Sequence, residues 1–208
     1  TDMLFNLLAL FSFLIVLLLL RRLVNILPSL MACLFRGKEN LNLEASVKLS
    51  LDRNALALAM IIPFCLTACR YKLYSPGFLQ GLSDNAYLGI CFGVFFVYMI
   101  LRFIMNWIFR PKKMPKKVYS AAGKASYSFF IIYTLLILAI GAVYGLLDMP
   151  EADVRSAMLW VSAAIYALFL IRKTQIFSSS CSIFTAFLYL CALEMIPTGV
   201  LVVSAIIF

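Results

Sequence analysis

Ser182 to Phe208 reads SIFTAFLYLCALEMIPTGVLVVSAIIF. The stretch exceeds the roughly 20 apolar residues that a helix needs to cross a bilayer. It holds a single charged side chain, Glu194, with Pro197 three residues further on. A carboxylate at that depth is costly and is kept for a partner or a task. The remainder of the chain reads as further membrane helices packed around this one.

Composition points the same way. Apolar residues make up 64% of the chain and charged ones 13%, with a mean hydropathy of +1.02. Soluble domains are near half apolar and a quarter charged. Lipid is therefore the solvent for most of the surface. The net charge of +9 would suggest nucleic acid in a soluble protein. Here the basic residues cluster between apolar runs, where anionic lipid headgroups are the simpler counter-charge. The expected partners are thus the bilayer itself and a second membrane protein, with no nucleic acid.

The chain has no histidine and six cysteines, Cys33, Cys65, Cys69, Cys91, Cys181 and Cys191, with no CxxC pair. Without histidine or clustered carboxylates, neither a zinc nor a di-iron site is assembled in the usual way. No metal or cofactor is expected. Cys65 and Cys69 share one helix face and read as small apolar packing residues.

Length and hydropathy divide residues 1–208 into one all-α transmembrane domain with six spans, at about 3–20, 55–70, 86–109, 125–147, 154–171 and 182–208. In the first, Arg21 and Arg22 follow the apolar core rather than precede it, so it reads as a retained anchor rather than a signal peptide. Residues 23–35 are too short to span. Leu23, Ile26, Leu27, Leu30, Met31 and Leu34 mark one helical face between Arg21, Arg22, Arg36 and Lys38. This predicts an interfacial helix on the cytoplasmic side, kinked at Pro28.

Residues 41–51 behave differently. Leu41, Leu43, Ala45, Val47, Leu49 and Leu51 alternate strictly with polar residues, which is a strand period. A lone strand is not stable in water. The segment therefore lies along the membrane surface, adds to the sheet edge of a partner, or alternates by coincidence and is helical.

Lysine and arginine set the topology. A six-span arrangement puts fifteen of them (Arg21, Arg22, Arg36, Lys38, Lys48, Arg53, Arg102, Arg110, Lys112, Lys113, Lys116, Lys117, Lys124, Arg172 and Lys173) on one side. Only Arg70, Lys72 and Arg155 fall on the other. Both termini are expected to face away from the cytoplasm. Gly89 and Gly93 in the third span, and Gly141 and Gly145 in the fourth, form GxxxG pairs. Such pairs permit close backbone approach in lipid and predict a tight hairpin between those two helices.

Around Glu194, Pro197 removes a backbone hydrogen bond to the carbonyl of Leu193 and should bend the helix. Cys191 and Thr198 are expected on the same face. Two readings follow. Glu194 binds a proton, a cation or a polar substrate group at the helix break, or it is buried against Arg102 or against hydroxyls such as those of Tyr133 and Tyr189.

The run Phe187 to Pro197, FLYLCALEMIP, resembles the C-terminal FLYLC-x-LE-x-IP signature of an uncharacterised bacterial inner-membrane family. The resemblance implies a small polytopic protein of unknown function, with Glu194 and Pro197 inside its most recognisable motif. One glutamate without a His, Asp or Ser partner does not make an acid–base site. The expected function is non-enzymatic, as an accessory, assembly or scaffold component of a membrane system in the bacterial inner membrane. The alternative is a small transporter with Glu194 as its proton- or substrate-binding residue.

Overall fold

The computed structural model describes residues 3–79, 81–109 and 115–207. Helix accounts for 88% of it, and no strand occurs among the described residues. The helices are α1 (Met3–Phe35), α2 (Glu39–Ala45), α3 (Val47–Ala59), α4 (Ile61–Arg70), α5 (Asp84–Ile108), α6 (Lys116–Leu146), α7 (Glu151–Ser178), α8 (Ile183–Leu190) and α9 (Ile196–Ile207). A π-helical turn, Cys191–Met195, joins the last two. Among the described residues, six helical stretches are long and apolar enough to cross a membrane: Met3–Phe35, Val47–Arg70, Asp84–Ile108, Lys116–Leu146, Glu151–Ser178 and Ile183–Ala205. The protein is a multi-pass membrane protein. Arg110, Lys112 and Lys113 of the second basic connection lie outside the described residues.

The separate interfacial helix does not form. α1 runs unbroken from the first span through Arg21, Arg22 and Pro28 to Phe35, about 50 Å of rise. The apolar face over residues 23–35 is real, but its partner is protein rather than headgroups. Leu23, Ile26 and Leu30 pack with Leu43 of α2, Leu56 and Met60, and with Ile131 and Ile132 of α6. Burial against neighbouring helices holds the last turns of α1 in place, and a proline is tolerated where adjoining helices restore what it removes.

Residues 41–51 are helical too, so their alternation is coincidental. α2 ends at Ala45, and extended Ser46 (φ −91°, ψ 111°) caps α3 by accepting from the Leu49 N–H at 3.5 Å. The cap divides the alternating run between two helices. Each helix satisfies its own backbone, which a lone strand could not. The second span consequently starts about two turns earlier than its apolar core, and α3 and α4 meet at Met60, where the helix breaks before Pro63.

α6 is the spine. It packs against α1, α2, α3, α4 and α7, and its pairing with α7 is the most extensive. Ala121, Ala122, Ala125 and Ser128 give it a small-residue stripe, buried throughout, that lets neighbouring backbones come close. The expected hairpin of the third and fourth spans is absent. α5 packs on α4, α9 and the π turn instead, and reaches α6 through bulky contacts such as the Phe95–Phe130 ring pair at 5.7 Å. A Cβ at Gly89, Gly93 or Gly145 would meet nothing within 4 Å. Gly141 alone of the four is closely covered, by the Tyr71 ring and hydroxyl at 3.3 Å and Met158 at 3.4 Å. Tyr71 also donates its hydroxyl to the Gly141 carbonyl at 3.4 Å.

This difference is measurable. Gly141→Val overfills the α4–α6–α7 contact and should cost about 1–3 kcal/mol, seen as a lower unfolding temperature in detergent. Gly145→Val should leave that temperature nearly unchanged.

Candidate functional site at Glu194

Three of the spans converge on one carboxylate. Glu194 sits in the π turn, Arg102 is about 9 Å of rise from the end of α5, and Lys173 lies in the last turns of α7. The Arg102 guanidinium donates through Nη2 to Glu194 Oε1 at 2.6 Å. Lys173 Nζ donates to the same oxygen. Glu194 is fully buried and Lys173 is 1% exposed. Phe169 lies beneath both cations, 5.5 Å from the Arg102 guanidinium and 5.6 Å from Lys173 Nζ, and Phe177 is 5.7 Å from Lys173 Nζ.

The energetics follow from the solvent. Removing an ion from water costs several kcal/mol even after relaxation, and a single partner regains that only with good geometry. Here one anion faces two cations, and aromatic faces supply further electrostatic attraction to the cations. The charges do not cancel: with all three groups ionised the cluster carries a formal +1. Glu194 Oε2 and Arg102 Nε are buried without a hydrogen-bond partner. The clamp is therefore tight on one carboxylate oxygen and open on the other.

The π turn is the backbone's answer to Pro197. The Ile196 N–H reaches back to the Cys191 carbonyl, five residues away, which widens the helix just before the residue that cannot donate. The carbonyl of Glu194 itself accepts the Tyr166 hydroxyl at 3.1 Å. Thr198 stays near the acid and meets the Tyr98 hydroxyl at 3.2 Å. The Cys191 thiol donates to Met195 Sδ at 3.6 Å.

Arg102 is thus the partner that the sequence suggested. Tyr133 is not, since its hydroxyl bonds Ser162 at 2.6 Å. Tyr166 and Tyr98 carry no signal in the sequence, and Lys173 reads there as one of the basic residues of the cytoplasmic side. Lys173 beside Arg172 looks like the charge that closes a span, and only the extension of α7 to Ser178 moves it inside. Arg172 does behave as an end residue, donating to the Leu34 carbonyl of α1 at 2.7 Å. Among the described residues, no three His, Cys, Asp or Glu side chains come together to hold a metal.

A second ionic cluster ties the basic ends of the helices together. Glu44 of α2 accepts from Lys124 of α6 at 2.5 Å and from buried Arg53 of α3 at 2.8 Å. Burial works to raise the Glu44 carboxyl, but its hydrogen bonds to Lys124 and Arg53 outweigh burial and hold it below its ordinary value. A depressed folded pKa means that the group's contribution is complete above its ordinary value of 4.5 and is lost as the pH falls through the folded value. Unfolding measured between pH 7 and pH 3 should therefore show a loss of stability at the acid end. In Glu44→Gln the starting stability is lower and that acid-end loss is smaller.

Comparison with curated proteins and with solved structures finds no match to the chain. The run of helices α1 to α9, with the clamped acid near its end, coincides with a family defined by sequence over the same length. The family model described as Domain of unknown function (DUF4271) matches residues 3–204, nearly the whole chain, and the protein belongs to that family.

Proposed function

We propose that the protein is a non-enzymatic, multi-pass component of a bacterial inner membrane, acting as an accessory or assembly element of a larger membrane system. The sealed state of Glu194 carries this reading. The acid has no exposure and is held by cations from two other helices. A residue that exchanges a proton or a substrate needs a path to water, whereas a cross-link between helices does not. The arrangement supports a structural task for the acid and leaves function to the outer surface.

With Arg102 and Lys173 set aside as members of the clamp, the remaining lysines and arginines, thirteen against three, support an orientation with both termini away from the cytoplasm. The basic connections then meet anionic headgroups inside. Val47 and Leu51 are 75% and 62% exposed, beside exposed Lys48 and Asn42. This mixed apolar and basic surface at the α2–α3 junction is the docking face for a membrane-protein partner.

Complementation of a chromosomal deletion tests both parts. Glu194→Leu strands two buried cations, at a cost of about 3–5 kcal/mol, and should lower the amount of protein in the membrane. Replacing the set together (Arg102→Met, Lys173→Met and Glu194→Leu) should restore both protein level and complementation. A restored level without complementation would overturn the structural reading in favour of transport. Val47→Asp combined with Leu51→Asp should abolish complementation at normal protein level, and retained complementation would remove the docking face.

A further inference from the structure

One cavity shares no lining residue with the clamp. It is a slot of about 320 Å³ between α1, α4 and α6, walled by Phe5, Ala9, Val16, Pro63 and Leu66, with Arg70 among its lining residues. α1 and α4 run antiparallel here: Phe5, Leu8 and Ala9 pack on the cluster that holds Leu66 and Cys69, and Val16 on the one that holds Leu56 and Met60. From Phe5 to Val16 the slot extends about 16 Å. That is close to half of the roughly 30 Å hydrocarbon core of a bilayer. One end of it coincides with the end of α4, where the second span leaves the membrane on the side opposite the basic connections.

The slot's walls are apolar apart from Ser12, Thr67 and Tyr71, and the last two are already engaged. The Thr67 hydroxyl donates to the Pro63 carbonyl at 2.8 Å, and the Tyr71 hydroxyl to the Gly141 carbonyl at 3.4 Å. Charge is confined to the mouth. Arg70 is largely exposed, and its ion pair with Glu151, itself exposed, is long at 3.9 Å. Arg155, one of the other two basic residues assigned to this face, is committed to the Ser75 hydroxyl at 2.8 Å.

We propose that this slot holds one acyl chain of an anionic lipid from the leaflet opposite the basic connections, with its headgroup at Arg70. The length matches one leaflet, and the cation stands where a headgroup would be. The volume is at the small end of ligand pockets and is far below what a transmembrane helix of 10–12 Å diameter displaces. A second copy of this chain, or a partner helix, therefore does not fit it.

Native mass spectrometry of the full chain, released from micelles containing phosphatidylglycerol and phosphatidylcholine of equal chain length, tests the assignment. The protein should retain one phosphatidylglycerol in preference to phosphatidylcholine by about fivefold, the equivalent of about 1 kcal/mol for one basic residue near an anionic surface. Arg70→Gln should equalise the two lipids while still retaining one. Ala9→Trp fills the slot and should lose both, and Ala9→Leu, a milder filling, should lose them in part if the tryptophan variant does not fold. Retention of phosphatidylglycerol unchanged by filling at Ala9 would overturn the proposal. So would a dimer that filling at Ala9 disrupts in place of a lost lipid.

Discussion

A carboxylate stripped of water and gripped by two cations from two other spans is the constraint to which this membrane domain is built. Glu194, Arg102 and Lys173 each carry a desolvation cost that hydrophobic packing alone would never recover. Together they form a cross-link between α5, α7 and the last span. Lipid gives no hydrophobic driving force for bringing helices together, so packing and polar contacts carry the association. The same apolar surroundings that make each charge costly alone make the cluster hard to open.

The clamp also explains the irregular final helix. Pro197 could have kinked a uniform α-helix. Instead a π turn absorbs the missing donor and directs the Glu194 side chain between α5 and α7, while the Tyr166 hydroxyl satisfies the local carbonyl. At the basic ends of the helices, Glu44 performs a similar task in a wetter setting, joining α2, α3 and α6 through Arg53 and Lys124. α6 links the two regions: its small-residue stripe and Phe129 pack on the α7 helix that carries Lys173. Two acids, each shared between cations of different helices, thus hold a bundle whose remaining surface is shaped by lipid.

Much of this was readable from the residues. Uninterrupted apolar length gave the six spans, and a lone glutamate in the last of them marked the place where charge had to be matched. Arg102 was identifiable because it interrupts an otherwise apolar span. Lys173 was not, since a lysine next to an arginine at the end of an apolar run has the pattern of a headgroup anchor. Only the extra turns of α7 bring it inside. The GxxxG pairs misled for a related reason: a small-residue pair permits close approach without selecting a partner, and the buried small face belongs to Ala121, Ala122, Ala125 and Ser128 instead. Residues 41–51 show the limit of periodicity over a short run, where one capping serine divided a strand-like alternation between two helices.

Solid-state NMR on the intact protein in lipid bilayers measures the central contact itself. With ¹⁵N-labelled lysine and arginine and ¹³C-labelled glutamate, dipolar recoupling should show the side-chain carboxyl carbon of Glu194 in direct contact with both Lys173 Nζ and an Arg102 guanidinium nitrogen, and both signals should vanish in Glu194→Gln spectra. A Glu194 carboxyl carbon coupled to neither nitrogen in the native protein would contradict the clamp.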